Sequence, residues 1–264
     1  MPDFDTLLFS IDDGVAKLTL NRPDKLNSFN AQMHDDMRAA MKIIEQDQQI
    51  RCLLISGSGR GFCAGQDLGD RAVSADDETP DLGLSLEQNY NPLLRRLVNL
   101  EKPVICAVNG VAAGAGANIA LACDIVLAAR SASFIQSFSK IGLIPDSGGS
   151  WMLPRLIGRA RALAITLLGE KIPAEKAQQW GMIWQCVDDD ALMAQAEKLA
   201  RFMASQPTRG YGLIKRAINL SANNSFDQQL DVERDLQRLA GRSDDYREGV
   251  DAFMQKREAR FTGH

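Results

Sequence analysis

Residues 104–129, VICAVNGVAAGAGANIALACDIVLAA, constrain the fold more than any other segment of the chain. They are small and apolar, and their one charged residue is Asp124. Residues 104–108 follow Pro103 and read as a buried strand. Residues 109–116, with glycines at 110, 114 and 116, read as a turn, and 117–122 as a buried helix. Residues 125–129 form a second strand-like run. A glycine turn that opens a buried helix leaves main-chain N–H groups unpaired at the positive end of the helix dipole, where developing negative charge can be held. Two plainer readings fit the same residues. The uncharged run 103–123 has the length of a membrane span, but Asn109, Asn118 and three glycines break it. An ordinary strand–helix unit of an α/β core with no chemistry also fits.

Around this centre the pattern alternates. Residues 7–11 and 15–20 flank Asp12-Asp13-Gly14, a β-hairpin signal. Asn30 can cap a helix running to about residue 47, with Met33, Met37, Ala40, Met41 and Ile44 on one face. Residues 52–56 read as a buried strand, followed by the turn 57–61 and a second small-residue turn, FCAGQDL, at 62–68. The polar, acidic segment 69–83 reads as a flexible loop over a pocket. An amphipathic helix spans 85–100, with Leu86, Tyr90, Leu93, Leu94 and Leu97 at helical spacing. Residues 134–138 are strand-like. IGLIPDSGGSW, at 141–151, is a third glycine turn, this one carrying Asp146. Helices are predicted over 155–168, 173–180, 191–204, 212–219, 226–240 and 244–255. Strands therefore alternate with helices to about residue 190 and helices alone follow, which predicts an α/β core with a helical tail.

The 264 residues, 45% hydrophobic and 24% charged, can bury a full core. A net charge of −4 offers no basic field for nucleic acid or an acidic membrane. The five cysteines form no CxxC pair and lie mostly in apolar runs, so they read as buried thiols, with neither zinc nor a disulfide frame expected. The opening MPDFDTLLFSIDD is too acidic, and its apolar run too short, for a signal peptide, so a cytoplasmic location is expected. With only His34 and His264, no histidine triad or metal cluster can be assembled.

Four pieces in order carry a family likeness: FCAGQDL at 62–68, AVNG at 107–110 running through Gly116, CDI at 123–125, and GLIP at 142–145 with Gly148 and Gly149. Together they resemble the crotonase (enoyl-CoA hydratase/isomerase) superfamily, and the resemblance covers nearly the whole chain. It implies an α/β spiral of ββα units over residues 1–200, carrying an acyl-CoA site, and a helical region at 201–264 that builds a homotrimer or a dimer of trimers. It implies no cofactor beyond the coenzyme A of the substrate. The backbone N–H groups of Ala64 and Ala115 would form an oxyanion hole for the thioester carbonyl. Lys25, Asn27, Ala64, Gln66, Asp67, Leu68, Phe253 and Lys256 match coenzyme A contacts of the family, and Gly114, Asn118 and Phe138 would also bind the substrate. Asp67 would also support its loop, and Asp124 would be structural.

Two departures from the family pattern narrow the reaction. The two glutamates that hydratases use fall on Asn118 and Phe138, and neither side chain shuttles a proton. Isomerases of the family often place their acid/base at the position of Asp146. Flanked by Ile144, Pro145 and Trp151, that carboxyl would be partly desolvated and its pKa raised. From the residue pattern alone Asp146 could equally be a turn aspartate bonded to nearby backbone. The expected activity is an acyl-CoA isomerase, and the greatest likeness within the family is to isomerases of ring 1,2-epoxides of phenylacetyl-CoA that yield oxepin-CoA. A general aliphatic Δ3,Δ2-enoyl-CoA isomerase and a non-catalytic acyl-CoA-binding subunit are the alternatives. The role of Asp146 in ring expansion is left open between moving a proton and steering charge.

Overall fold

The structure, a computed structural model, describes residues 3–71 and 81–264. Most of the loop expected at 69–83 lies outside the described residues.

β1 (Leu7–Asp12) and β2 (Val15–Leu20) pair antiparallel. The turn between them has φ of 47° at Asp13 and 75° at Gly14, the left-handed pair that an Asp-Gly hairpin favours. α1 (Ala31–Gln46) is capped by Asn30, whose side chain accepts from the Met33 N–H, and it buries Met33, Met37, Ala40, Met41 and Ile44. The apolar stripe predicted from the sequence is thus the buried face.

Two sheets carry the rest of the strands. β3 (Cys52–Gly57), β5 (Val104–Val108), β7 (Ile125–Ala129) and β10 (Gln185–Val187) continue from β2 in parallel and complete a six-stranded sheet ordered β1-β2-β3-β5-β7-β10. A smaller sheet is built from β4 (Gly61–Cys63), β6 (Val111–Ala113) and β8 (Ser133–Ile135) in parallel, with β9 (Lys171–Pro173) antiparallel at its edge. The chain visits them alternately. β3 leads to β4, then to α2 (Leu82–Ser85) and α3 (Asn91–Asn99). β5 leads to β6 and α4 (Ala115–Leu121), and β7 leads to β8 and α5 (Gly149–Leu168). This is the expected ββα spiral. All five residues of β5 are buried, as are the first five of β3, as expected of central parallel strands. α7 (Leu192–Ala204) packs across β3, β5 and β7, and α6 (Ala174–Gln179) lies against β9 and β10.

α8 (Thr208–Ser221), α9 (Phe226–Ala240) and α10 (Asp244–Gln255) form the helical tail. Polar ties fasten it to the core. Lys215 donates to the Leu97 carbonyl and pairs with Asp124 at 2.9 Å, and Asn219 donates to the Val98 carbonyl. Arg51 donates to Thr208 and to the carbonyls of Gln206 and Phe261. Asp124 also accepts from the Val104 N–H at 2.8 Å, so it is structural, as expected.

Several boundaries differ from the sequence reading. The glycine turn at 109–116 contains β6, and the helix after it starts at Ala115 rather than 117. The strand expected at 134–138 ends at Ile135, and Phe138 sits in the 3-10 turn Ser137–Ile141. The helix expected at 85–100 is interrupted by the π-helical turn Leu86–Tyr90, where the Asn91 N–H reaches back to the Leu86 carbonyl. α5 starts at Gly149 and is broken at Gly158, whose φ is 76°. β4, β6, β8, β9 and β10 have three residues each, too short for a period of two to register.

Candidate active site

Pairing of the short strands determines where the site lies. β4 and β6 run parallel, with Gly61 opposite Val111 and Cys63 opposite Ala112, so the loops that follow them leave from the same end. β8 runs parallel to β6 with Ile135 opposite Ala113, so residues 136–138 emerge there too. Carboxyl ends of parallel strands are where α/β folds gather ligand groups. The two small-residue turns singled out in the sequence therefore meet. A Cβ placed on Gly65 would stand 2.9 Å from the Ala113 carbonyl oxygen and 3.3 Å from the Ala115 nitrogen.

Main-chain hydrogen bonds then identify the available donors. Ala115 is the first residue of α4, and among the described residues no carbonyl accepts its N–H, as expected at a helix start. Gly114 before it holds φ of 54°, a value suited to glycine, and its own N–H is taken up by the Ile135 carbonyl at 2.9 Å. Ala64 differs from expectation. Its N–H donates to the Leu26 carbonyl at 2.9 Å, so it is not open to a ligand. Two residues on, Gln66 forms a parallel bridge with Phe29. Phe29 donates to the Gly65 carbonyl at 2.7 Å and accepts from the Asp67 N–H at 2.9 Å. Alternation along an extended segment turns the Gln66 N–H the other way, and no described carbonyl accepts it. The available pair is Gln66 and Ala115, not Ala64 and Ala115. No local sequence signal distinguishes residue 66 from residue 64, because the difference comes from pairing with Phe29, far back in the chain. Cys63, directly before this loop, is fully buried. Burial pushes its thiol up to about 12, so it is no nucleophile at neutral pH.

Asn118, one turn into α4, is fully buried and holds the third glycine turn in place. Its Nδ2 donates to the Asp146 carbonyl at 2.8 Å, and its Oδ1 accepts from Gln136 Nε2 at 2.9 Å. Both ends of the amide bond the scaffold, so Asn118 acts as a strut. It places Asp146 beside the first turn of α4. The Asp146 carboxylate is half-buried and accepts from the Ser147 hydroxyl at 2.9 Å. The apolar surround expected from its neighbours is not supplied by them, since Ile144 is 80% exposed and Trp151 44% exposed in the single chain. Phe138 is buried against the same turn, with its ring packed under Gly114: a Cβ there would lie 3.7 Å from the ring.

Gly149 closes this corner. A Cβ on it would lie 2.3 Å from Asn118 Nδ2. Gly149→Ala should push the Asn118 amide off the Asp146 carbonyl, lowering stability by about 1–3 kcal/mol as overpacking does. Catalysis should fall with it, readable as a reduced Tm together with a reduced kcat.

The remaining expected contacts divide into rim and scaffold. Lys25 and Leu68 are exposed on the rim. Asn27 is fully buried. Its Oδ1 accepts from the Arg22 N–H and its Nδ2 donates to the carbonyls of Ser58 and Gly61, so its side chain builds the loop rather than touching a ligand. Asp67 supports the loop as expected, pairing with Arg22 at 3.0 Å and accepting from the Gly69 N–H. Partial burial pushes its carboxyl up, but the Arg22 and Gly69 hydrogen bonds outweigh this and hold it below the usual carboxylate range. Phe253 and Lys256 stand at the far end of α10, Phe253 being 82% exposed, and neither joins this hydrogen-bond network within one chain. Arg155, Arg159 and Arg161 are exposed on α5, with Arg155 stacked on Trp151. Among the described residues no three His, Cys, Asp or Glu side chains gather into a metal site, and no helix is long and apolar enough to cross a membrane.

Two available amides thus lie at the mouth of parallel strands with a carboxylate one strut away, and the sequence that builds them matches one family model. That model, enoyl-CoA hydratase/isomerase, matches residues 10–264. The chain belongs to the enoyl-CoA hydratase/isomerase family. A relative from Escherichia coli strain K12, 1,2-epoxyphenylacetyl-CoA isomerase, is 62% identical over 97% of this chain and 98% of its own. The trans-2-decenoyl-[acyl-carrier-protein] isomerase of Streptococcus mutans is 35% identical over 99% of both. A solved enoyl-CoA hydratase/isomerase family structure from Mycobacterium abscessus superposes with a TM-score of 0.93 at 33% identity, covering 98% of this chain and all of that one. The enoyl-CoA hydratase/isomerase fold is thus shared over the full length, including the helical tail.

Proposed function

We propose that this family member is an acyl-CoA isomerase that converts ring 1,2-epoxyphenylacetyl-CoA to its oxepin and also shifts 3-enoyl thioesters to 2-enoyl thioesters. The observation that carries the reading is the makeup of the corner beside the amide pair. Asn118 and Phe138 stand where a two-carboxylate site would need acids, and Asp146 alone supplies a carboxylate. The 62% identity to the E. coli isomerase supports the choice of substrate. The thioester oxygen sits between the N–H groups of Gln66 and Ala115, which stabilise it as it gains enolate charge. In the double-bond shift Asp146 removes a C2 proton and returns it to C4, so no water is consumed. After the epoxide ring opens to the oxepin, a ring double bond lies in the same β,γ relation to the thioester. The same transfer then moves a proton from the α-carbon to the γ-carbon and brings that double bond into conjugation.

Lys25 and Leu68 on the rim suit the phosphate–adenine and pantetheine ends of coenzyme A. The helices after residue 200 suit assembly into a trimer or a dimer of trimers. In one chain they leave Ile214, Ile218, Phe226, Val250 and Met254 exposed, which are surfaces that assembly would cover. Phe253 and Lys256 would then complete a coenzyme A pocket. No described helix has the length and apolarity of a membrane span, which suits a cytoplasmic enzyme. Assay of the purified protein with the ring epoxide, a 3-enoyl and a 2-enoyl thioester tests the reading. Turnover of the first two without hydration of the third is expected. Turnover of the 3-enoyl alone would favour an aliphatic isomerase, a reading to which the S. mutans relative lends weight. Binding without turnover would leave a non-catalytic acyl-CoA-binding subunit.

A further inference from the structure

Tyr90 is the single buried residue of the segment 81–90, at 1% exposure, and it closes the π-helical turn Leu86–Tyr90. A π-helical turn adds one residue to a helical circuit and recurs at functional positions. Here it carries a side chain that reaches the active-site loop along two routes. The Tyr90 hydroxyl donates to Gln66 Oε1 at 2.9 Å. The Tyr90 ring lies 5.8 Å from the ring of Phe29, and both rings pack on His34. Phe29 is the residue whose main chain brackets Gln66, donating to Gly65 and accepting from Asp67. The other ties on this loop, Ala64 to Leu26 and Asp67 to Arg22, come from the 22–29 side. Tyr90 adds a tie to the Gln66 side chain, and it does so from a different segment of the chain.

We infer that Tyr90 is a positioning residue for the oxyanion site, aiming the Gln66 N–H through a hydrogen bond to the Gln66 side chain and through the Phe29 ring. The inference rests on the proposed role of Gln66 and Ala115. A main-chain donor stabilises transition-state charge only if its direction is set beforehand, because reorienting it during the reaction would cost what the interaction returns. The ties from 22–29 hold residues 64, 65 and 67 and leave the Gln66 side chain unheld. Docking Tyr90 removes that freedom without Tyr90 touching substrate.

Tyr90→Phe keeps the ring packing and deletes only the hydroxyl. It should lower kcat about tenfold with KM nearly unchanged, the size expected from one lost hydrogen bond. The carbonyl stretch of a bound, 13C-labelled, non-isomerisable acyl-CoA thioester should move back toward its value in solution. A residue needed only for stability would lower Tm and leave that stretch alone. Gln66→Met, which removes the acceptor while keeping its own N–H, should give the same loss, and the double variant should lose no more than either single one. Native kcat and a native carbonyl stretch in Tyr90→Phe would overturn the inference, as would simple additivity of the two losses. If the wild-type protein itself leaves the bound carbonyl unshifted, it is the amide-pair reading that fails, and the role of Tyr90 falls with it.

Discussion

Asp146→Asn is expected to reduce the double-bond shift by about a hundred- to ten-thousand-fold, the range a positioned general acid/base contributes. Its fold should stay intact. The contacts that place residue 146 are made by its main chain: its carbonyl accepts from Asn118 Nδ2 and from the Gly149 N–H. An asparagine Oδ1 can still accept from the Ser147 hydroxyl. The negative charge and the ability to take and return a proton are removed together. Tm and affinity for a non-reacting acyl-CoA should therefore be close to native while kcat collapses. Exchange of the α-protons of bound thioester with deuterated water, followed by NMR, separates the step. The wild-type enzyme should exchange them and the variant should not. Native turnover in the variant would remove Asp146 from the reaction.

Ala115→Pro should cost at least a hundred-fold in kcat by deleting one of the two donors. Losing one such donor costs on the order of a hundred- to a thousand-fold in rate. Proline is well suited to this position. Ala115 is the first residue of α4, where a helix has no intrahelical use for the N–H and where the ring's fixed φ fits. The carbonyl of residue 115 remains available to the helix, so the substitution should leave Tm nearly unchanged while the thioester loses half of its oxygen cradle. Circular dichroism and a thermal melt check the first expectation, and initial rates with a 3-enoyl thioester check the second. Ala64→Pro would make a poor comparison, because the Ala64 N–H is tied to Leu26 and its loss would loosen the loop.

The fold was largely legible where burial and period agree. The Asn30 cap, the methionine stripe of α1 and the buried runs of β3 and β5 appear where the pattern places them. The second sheet was not legible, since its three-residue strands are embedded in glycine turns and are recognisable only once paired. Within the proposed site, helix-start and turn signals together with the family likeness point to Ala115 and Asp146. The assignment of Ala64 as a donor failed because both partners in its hydrogen bond are main-chain atoms, and side-chain identity does not report on them. Asn27 and Asn118 looked like ligand contacts because they are polar residues in motif positions. Their burial instead obliges them to satisfy the scaffold's own carbonyls. Tyr90 read as one more apolar position on a helix face, and nothing in its spacing pointed to the Gln66 side chain.

The most direct measurement is a crystal structure of this enzyme with a non-isomerisable acyl-CoA thioester bound. The thioester oxygen should lie about 2.7–3.1 Å from the main-chain nitrogens of both Gln66 and Ala115, with an Asp146 carboxylate oxygen beside the α-carbon. A thioester oxygen bonded to neither nitrogen, or an Asp146 carboxylate turned away from the acyl chain into solvent, would contradict the account.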